Sequence, residues 1–204
     1  MKVFLALGAN VPGPWGPPGA TLARAIDELC QARVPIIRAS RVFSTAPQGP
    51  GLQDRYLNAV VQVAAPLAPA ALLRLLKRIE RDAGRRSGPK WGPRPLDMDI
   101  IDYGGWRIGW PPRRREPGRL ILPHPEMHAR AFVLVPLLEV APHWRHPVLG
   151  LGARTLLARL APAKAADVRP QTLDLQRPAC DKRAERTSPP VDAVPEAFSR
   201  PHHR

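Results

Sequence analysis

Cysteine is nearly absent from the chain: 204 residues hold only Cys30 and Cys180. Two cysteines 150 positions apart suggest neither a disulfide framework nor a zinc site, and they point to a reducing compartment. Long apolar runs are missing as well. The longest after the N-terminus, residues 131–138, contains Pro136 and falls far short of the roughly 20 residues that cross a bilayer. The opening MKVFLALGAN has one lysine and a short apolar run that Gly8 and Asn10 cut off, so it reads as a strand rather than a signal peptide. Acidic residues are outnumbered, 17 against 31 Lys and Arg. There is also no Gly-x4-Gly-Lys-Ser/Thr segment, which excludes a P-loop kinase.

What is present suffices for one ordinary domain, with 44% hydrophobic residues and a formal net charge of +14. Such a charge favours anionic partners, either nucleic acid or phosphorylated small molecules. From residue 162 to 204 the apolar periodicity disappears and Pro, Ala and Arg dominate. The domain is therefore expected over 1–161 and a disordered tail over 162–204.

The most informative stretch is 91–103, WGPRPLDMDIIDY. Leu96, Met98 and Ile100 alternate with Asp97 and Asp99, the period of a strand, so both carboxylates leave one face. Two like charges about 7 Å apart need something positive between them. A solvated edge strand would alternate in the same way. Yet Arg85, Arg86, Lys90 and Arg94 crowd the preceding segment, and cations gathered around paired carboxylates read as a Mg²⁺ and polyphosphate site.

Around it the spacing predicts a strand over 3–7 and a Pro/Gly loop over 11–19. A first helix follows, with Thr21 as its N-cap and Leu22, Ala25, Ile26 and Leu29 on one face. A β-rich run covers 36–43 and a strand 56–63. A helix starts at Pro69 and carries Leu72, Leu73, Leu76 and Ile79 on one face. Residues 129–140 and 155–160 read as further helix. The order β-α-β-β-α-β predicts an α+β fold with a ferredoxin-like βαββαβ core, an antiparallel sheet with both helices packed on one face and the other face free for substrate.

Several segments together resemble one family. LALGAN, FSTAPQG, YLNAVV, the RIE of the second helix, WGPRPLDMDI and RLILPHPEMHARAFVLVPLLEVAP occur in the order found in 6-hydroxymethyl-7,8-dihydropterin pyrophosphokinases and cover most of residues 1–145. The resemblance implies transfer of a pyrophosphoryl group from ATP to the hydroxymethyl oxygen of the pterin, with AMP released, as a step of folate biosynthesis. It implies two Mg²⁺ on Asp97 and Asp99, and phosphate clamping by Arg94 and by Arg85 or its neighbour Arg86. ATP contacts would come from Glu80, Lys90, Trp91, Ile100, Arg119, His124 and Arg130. The pterin would lie between Tyr56 and Phe132, with Thr45, Gln48 and Asn58 at its edge. The expected protein is a cytoplasmic monomer with small-molecule partners and neither nucleic acid nor membrane. The competing readings are a basic nucleic-acid-binding module, which lacks the aromatic RNA-recognition motifs here, and an inactive relative. His124 and His128 lie four apart but among prolines, which argues against a zinc helix.

Overall fold

Lys2–Ala9 forms β1, the strand on which the sheet is built. Its side chains divide by parity. Val3, Leu5, Leu7 and Ala9 enter the main core, while Phe4 joins a second cluster and Ala6 packs against it. The computed structural model describes residues 1–47, 52–86, 92–110, 119–173 and 175. In chain order the elements are β1, α1 (Pro18–Gln31), β2 (Ile36–Ala39), β3 (Phe43–Thr45), β4 (Tyr56–Ala64), α2 (Pro69–Asp82) and β5 (Asp97–Tyr103). They continue with α3 (Ala131–Val140), α4 (Ala153–Ala158), α5 (Pro162–Ala166) and β6 (Arg169–Pro170).

The sheet runs β5-β1-β4-β3-β6, with β2 also on β4, and every pairing is antiparallel. The β-rich run 36–43 is thus two short strands separated by residues 40–42. Both long helices begin with proline in the first turn, where its missing N–H costs nothing. Thr21 is not a cap: α1 starts at Pro18, and Thr21 is buried inside it. Along α2, Leu72, Leu75, Leu76 and Ile79 are buried against the sheet, each contributing roughly 1.5–3 kcal/mol. Gly84 ends that helix with φ +92°, and a Cβ there would lie 2.4 Å from Pro14 Cδ. The 11–19 loop is therefore packed against the end of α2.

The second face of the sheet is not left free. Phe4, Val60 and Ile101 project from it into a cluster with Val133, Leu134 and Leu137 of α3 and Leu156 of α4. The expectation of helices on one face alone holds for α1 and α2 and fails here, because α3 carries apolar residues on nearly all sides. Register is adjusted at this point. A bulge beside Phe4 sends Asp102 to the same side as Ile101, where Trp144 Nε1 donates to Asp102 Oδ2 at 2.8 Å.

Packed structure also continues past residue 161, through α5, β6 and the buried Leu175. The boundary expected there falls inside the fold. Cys30, near the end of α1, is disulfide-bonded, against the expectation drawn from two widely separated cysteines. Cys180 and the basic segment 111–118 lie outside the described residues. No helix among the described residues is long and apolar enough to cross a membrane.

Candidate active site

The uncovered part of the second face forms a cavity of about 250 Å³. Its floor follows from register. Gly8 of β1 pairs with Asn58 of β4 on one side and Asp97 of β5 on the other; one step along, Ala6 lies between Val60 and Asp99. The two smallest side chains of β1 thus separate an amide from a pair of carboxylates. A Cβ at Gly8 would come 3.2 Å from Asn58 Oδ1, so glycine opens this end of the floor.

On the β4 side, Asn58 Nδ2 donates to Thr45 Oγ1 at 2.9 Å, with both residues buried. Tyr56 and Phe132 also line the cavity, and Tyr56 OH donates to Gly92 O at 3.2 Å. Burial pushes the Tyr56 hydroxyl above its ordinary pKa, with Asp97 adding to the effect and Arg94 and Arg85 opposing it. The Arg130 guanidinium stands 5.6 Å from the Phe132 ring centroid.

On the β5 side the carboxylates are already surrounded by cations. Arg94 Nη1 lies 2.5 Å from Asp97 Oδ2, and Arg85 Nη1 pairs with Asp97 Oδ1. Lys77 Nζ is 3.8 Å from Asp99 Oδ1, and His124 Nε2 is 3.7 Å from Asp99 Oδ2. Burial alone would raise the Asp99 carboxyl, but His124, Lys77, Arg130 and Arg85 together hold it below its usual range. In its neutral form the His124 ring accepts from Glu126 N at Nδ1, 3.2 Å away, and carries its proton on Nε2, the nitrogen facing Asp99. Arg130 is paired with Glu126 at the rim.

Glu80 is placed behind the site rather than in it. Only 2% exposed, it accepts from Met98 N at 2.7 Å and pairs with Lys77 and Arg85, each at 2.7 Å. Burial raises its carboxyl, and the two cations pull it back. It therefore ties α2 to β5 and aims both cations at the aspartates. Ile100 points to the opposite face, into the main core, and Arg119 is exposed away from the cavity lining. Gln48, Lys90 and Trp91 lie outside the described residues.

The cavity thus brings together Thr45, Tyr56, Asn58, Arg94, Asp97, Asp99, His124, Arg130 and Phe132. Sequence reasoning passed over Lys77, Asn10 and Glu126. Lys77 stands among Arg74, Arg78 and Arg81 in the sequence of α2, and nothing in its spacing marks it as the one that reaches β5.

The α+β fold thus sets an aromatic and amide wall against paired carboxylates amid cations, an arrangement suited to an enzyme that handles phosphorylated groups. A model of the 7,8-dihydro-6-hydroxymethylpterin-pyrophosphokinase (HPPK) family matches residues 4–142. A 2-amino-4-hydroxy-6-hydroxymethyldihydropteridine pyrophosphokinase from Synechocystis sp. is 41% identical over 147 residues, 72% of this chain and 69% of that one. The protein of the same description from Methylorubrum extorquens is 36% identical over 79% of this chain and 95% of its own. The mitochondrial folate synthesis bifunctional protein of Arabidopsis thaliana is 38% identical, but the chain spans only 23% of its length. The crystal structure of Plasmodium falciparum HPPK-DHPS with pteroate superposes with a TM-score of 0.58 at 15% identity, over 77% of this chain and 44% of that one, a likeness of fold. The chain belongs to the 7,8-dihydro-6-hydroxymethylpterin-pyrophosphokinase family and is a pyrophosphokinase.

Proposed function

We propose that the cavity joins 6-hydroxymethyl-7,8-dihydropterin, held against β4, to the triphosphate of ATP, held over β5. The pyrophosphoryl group passes to the hydroxymethyl oxygen, AMP leaves, and the product is the pterin diphosphate of folate biosynthesis. The observation that carries this reading is the shared row Asn58–Gly8–Asp97, which sets acceptor and donor sides one strand apart.

The pterin is flat and rich in hydrogen-bonding edges. Tyr56 and Phe132 supply aromatic faces, and the Thr45–Asn58 pair supplies a fixed amide edge. Gln48 belongs to the same proposal. On the donor side, among the described residues no cluster of three or more His, Cys, Asp or Glu is present, so the protein offers two carboxylates and little else. That donor set fits Mg²⁺, which takes one or two carboxylates and completes its shell with phosphate oxygens and water. Two Mg²⁺ on Asp97 and Asp99 would neutralise charge on the bridging phosphates when bound.

The chain's own residues do the positioning. Arg85 and Arg94, which now neutralise Asp97, are cations of bidentate geometry placed to exchange that carboxylate for phosphate oxygens. His124 presents Nε2–H to the same space, and Arg130 stands beside it. With a loose transition state, alignment and charge neutralisation supply most of the catalysis. Glu80, Lys90, Trp91, Ile100 and Arg119 are proposed on the nucleotide side, Glu80 through the cations it holds and Ile100 through its backbone.

The strand order β5-β1-β4-β3, with α1 and α2 on one face, supports the ferredoxin-like assignment. An RNA-binding sheet has less support, since α3 lies over the face such a domain would use. A cytoplasmic monomer completes the proposal on the grounds of small-molecule substrates. The test is AMP release from ATP and Mg²⁺ with and without the pterin. Pterin-dependent AMP that vanishes in Asp97→Ala supports the reading, and AMP formation indifferent to the pterin refutes it.

A further inference from the structure

The family match stops at residue 142, yet the chain beyond it returns to the site. β6 pairs with β3 through Phe43↔Pro170 and Ser44↔Arg169, and Gln171 N donates to Val42 O at 2.8 Å. Val168 packs with Phe43 and Ala131, while Leu175 enters the main core. Without this addition β3, the strand that ends in Thr45, would be a bare sheet edge.

Between α5 and β6 stands Asp167. Its Oδ2 accepts from Ala46 N at 2.6 Å, and its Oδ1 accepts from Arg55 Nη2 at 2.8 Å. The same Nη2 reaches the Asp167 carbonyl at 3.0 Å and the Ser44 carbonyl at 3.2 Å, and Arg55 Nε donates to Ser44 Oγ at 2.8 Å. Ala46 follows Thr45 and lines the cavity; Arg55 precedes Tyr56. One carboxylate therefore joins both ends of the β3–β4 connection at the points where it delivers two cavity side chains. Exposed ion pairs contribute little to stability. This one differs in that the Asp167 carboxylate also takes the backbone N–H of Ala46, and the Arg55 guanidinium it holds also reaches the Ser44 carbonyl, so the contact fixes geometry more than it adds energy.

We propose that Asp167 is a positioning residue for the pterin half of the site, and that residues 162–173 form a strap holding Thr45 and Tyr56 at the spacing the ring requires. The inference rests on the pterin assignment above.

Steady-state kinetics on the full chain test it, with the pterin varied at saturating ATP and Mg²⁺ and ATP varied at saturating pterin. Asp167→Ala should raise the KM for the pterin about tenfold, the scale of one charge-assisted hydrogen bond. The KM for ATP and the melting temperature should stay where they are. Asp167→Asn keeps an acceptor for Ala46 N, so it should fall between the two, and it carries the comparison if the alanine variant does not fold. An unchanged KM for the pterin would overturn the proposal. So would a parallel rise in both KM values with a lower Tm, which marks general destabilisation. If the wild type itself made no AMP, the reaction reading would fail on its own. Pterin fluorescence on binding would then still decide for or against Asp167, by whether Asp167→Ala weakens the complex.

Discussion

Asn10 and Arg94 are joined by two hydrogen bonds running in opposite directions: Arg94 N donates to Asn10 Oδ1 at 2.8 Å, and Asn10 N donates to Arg94 O at 3.1 Å. The remaining amide group, Asn10 Nδ2, reaches Asp54 O at 3.3 Å and Gln53 Oε1 at 3.4 Å. Asn10, the buried residue just after β1, thus fixes the backbone at Arg94 and ties it to the connection that leads into Tyr56. Asn10→Ala leaves the Arg94 N–H without this acceptor, so about 1–3 kcal/mol of stability should be lost. The kcat should fall with it, because the guanidinium loses its fixed base. Urea unfolding and kcat measured together check this, and a variant as stable and as fast as wild type would show the linkage to be incidental.

Asp97→Ala should remove turnover by about a thousandfold or more, several kcal/mol of transition-state stabilisation, while leaving a folded protein. The reason for tolerance is local. Asp97 is paired with both Arg85 and Arg94, and those cations keep other partners or solvent access when it is gone; Arg85 retains Glu80 at 2.7 Å. Chelating Mg²⁺ from the wild type should give the same loss, reversed on its return. Turnover surviving either treatment would rule out the metal role.

Arg85 and Arg86 are neighbours with unlike surroundings. Arg85 is held by Asp97 and by the buried Glu80, whereas Arg86 is exposed. Arg85→Ala should therefore cut kcat at least about tenfold, the worth of one charged contact made in the transition state, and Arg86→Ala should leave it nearly unchanged. The reverse ranking would put the clamp on Arg86. Circular dichroism on both variants separates a chemical loss from an unfolded one.

The legible parts of the site were those with local signatures. Asp97 and Asp99 stand out because a strand with alternating acids is readable from period alone; the β4 strand reads likewise, but Asn58 and Tyr56 are singled out on it only by the family resemblance. What stayed hidden depends on contacts across the sequence. Lys77 reaches Asp99 only because α2 and β5 lie side by side, and α3 covers the second face because its apolar residues leave no polar stripe to place. Asp167 sits in a segment whose composition resembles a tail, yet two residues of β6 suffice to pin it. Composition reports the absence of a core-forming pattern; it does not report an added edge strand.

His146 lies 1% exposed among the rings of Trp144, Trp110 and His128, whose centroids are 5.8, 6.0 and 6.0 Å away. Its Nδ1 accepts from Val148 N and Leu149 N, both at 3.2 Å, so the neutral ring carries its proton on Nε2, which has no partner among the described residues. Burial, with His128 adding a little, pushes its pKa down to about 4. An unfolded chain takes up that proton near 6.5. Between those two values the unfolded state binds more protons, so stability falls as pH falls, by up to about 3 kcal/mol across the window. Below pH 4 both states are charged and this contribution stops changing. His146→Asn keeps an oxygen near the Nδ1 position but does not titrate, so its urea midpoint should lose less than the wild type's between neutral pH and about 4. Midpoints that fall in parallel for the two proteins would assign the acid sensitivity to another group and leave His146 a purely packed residue.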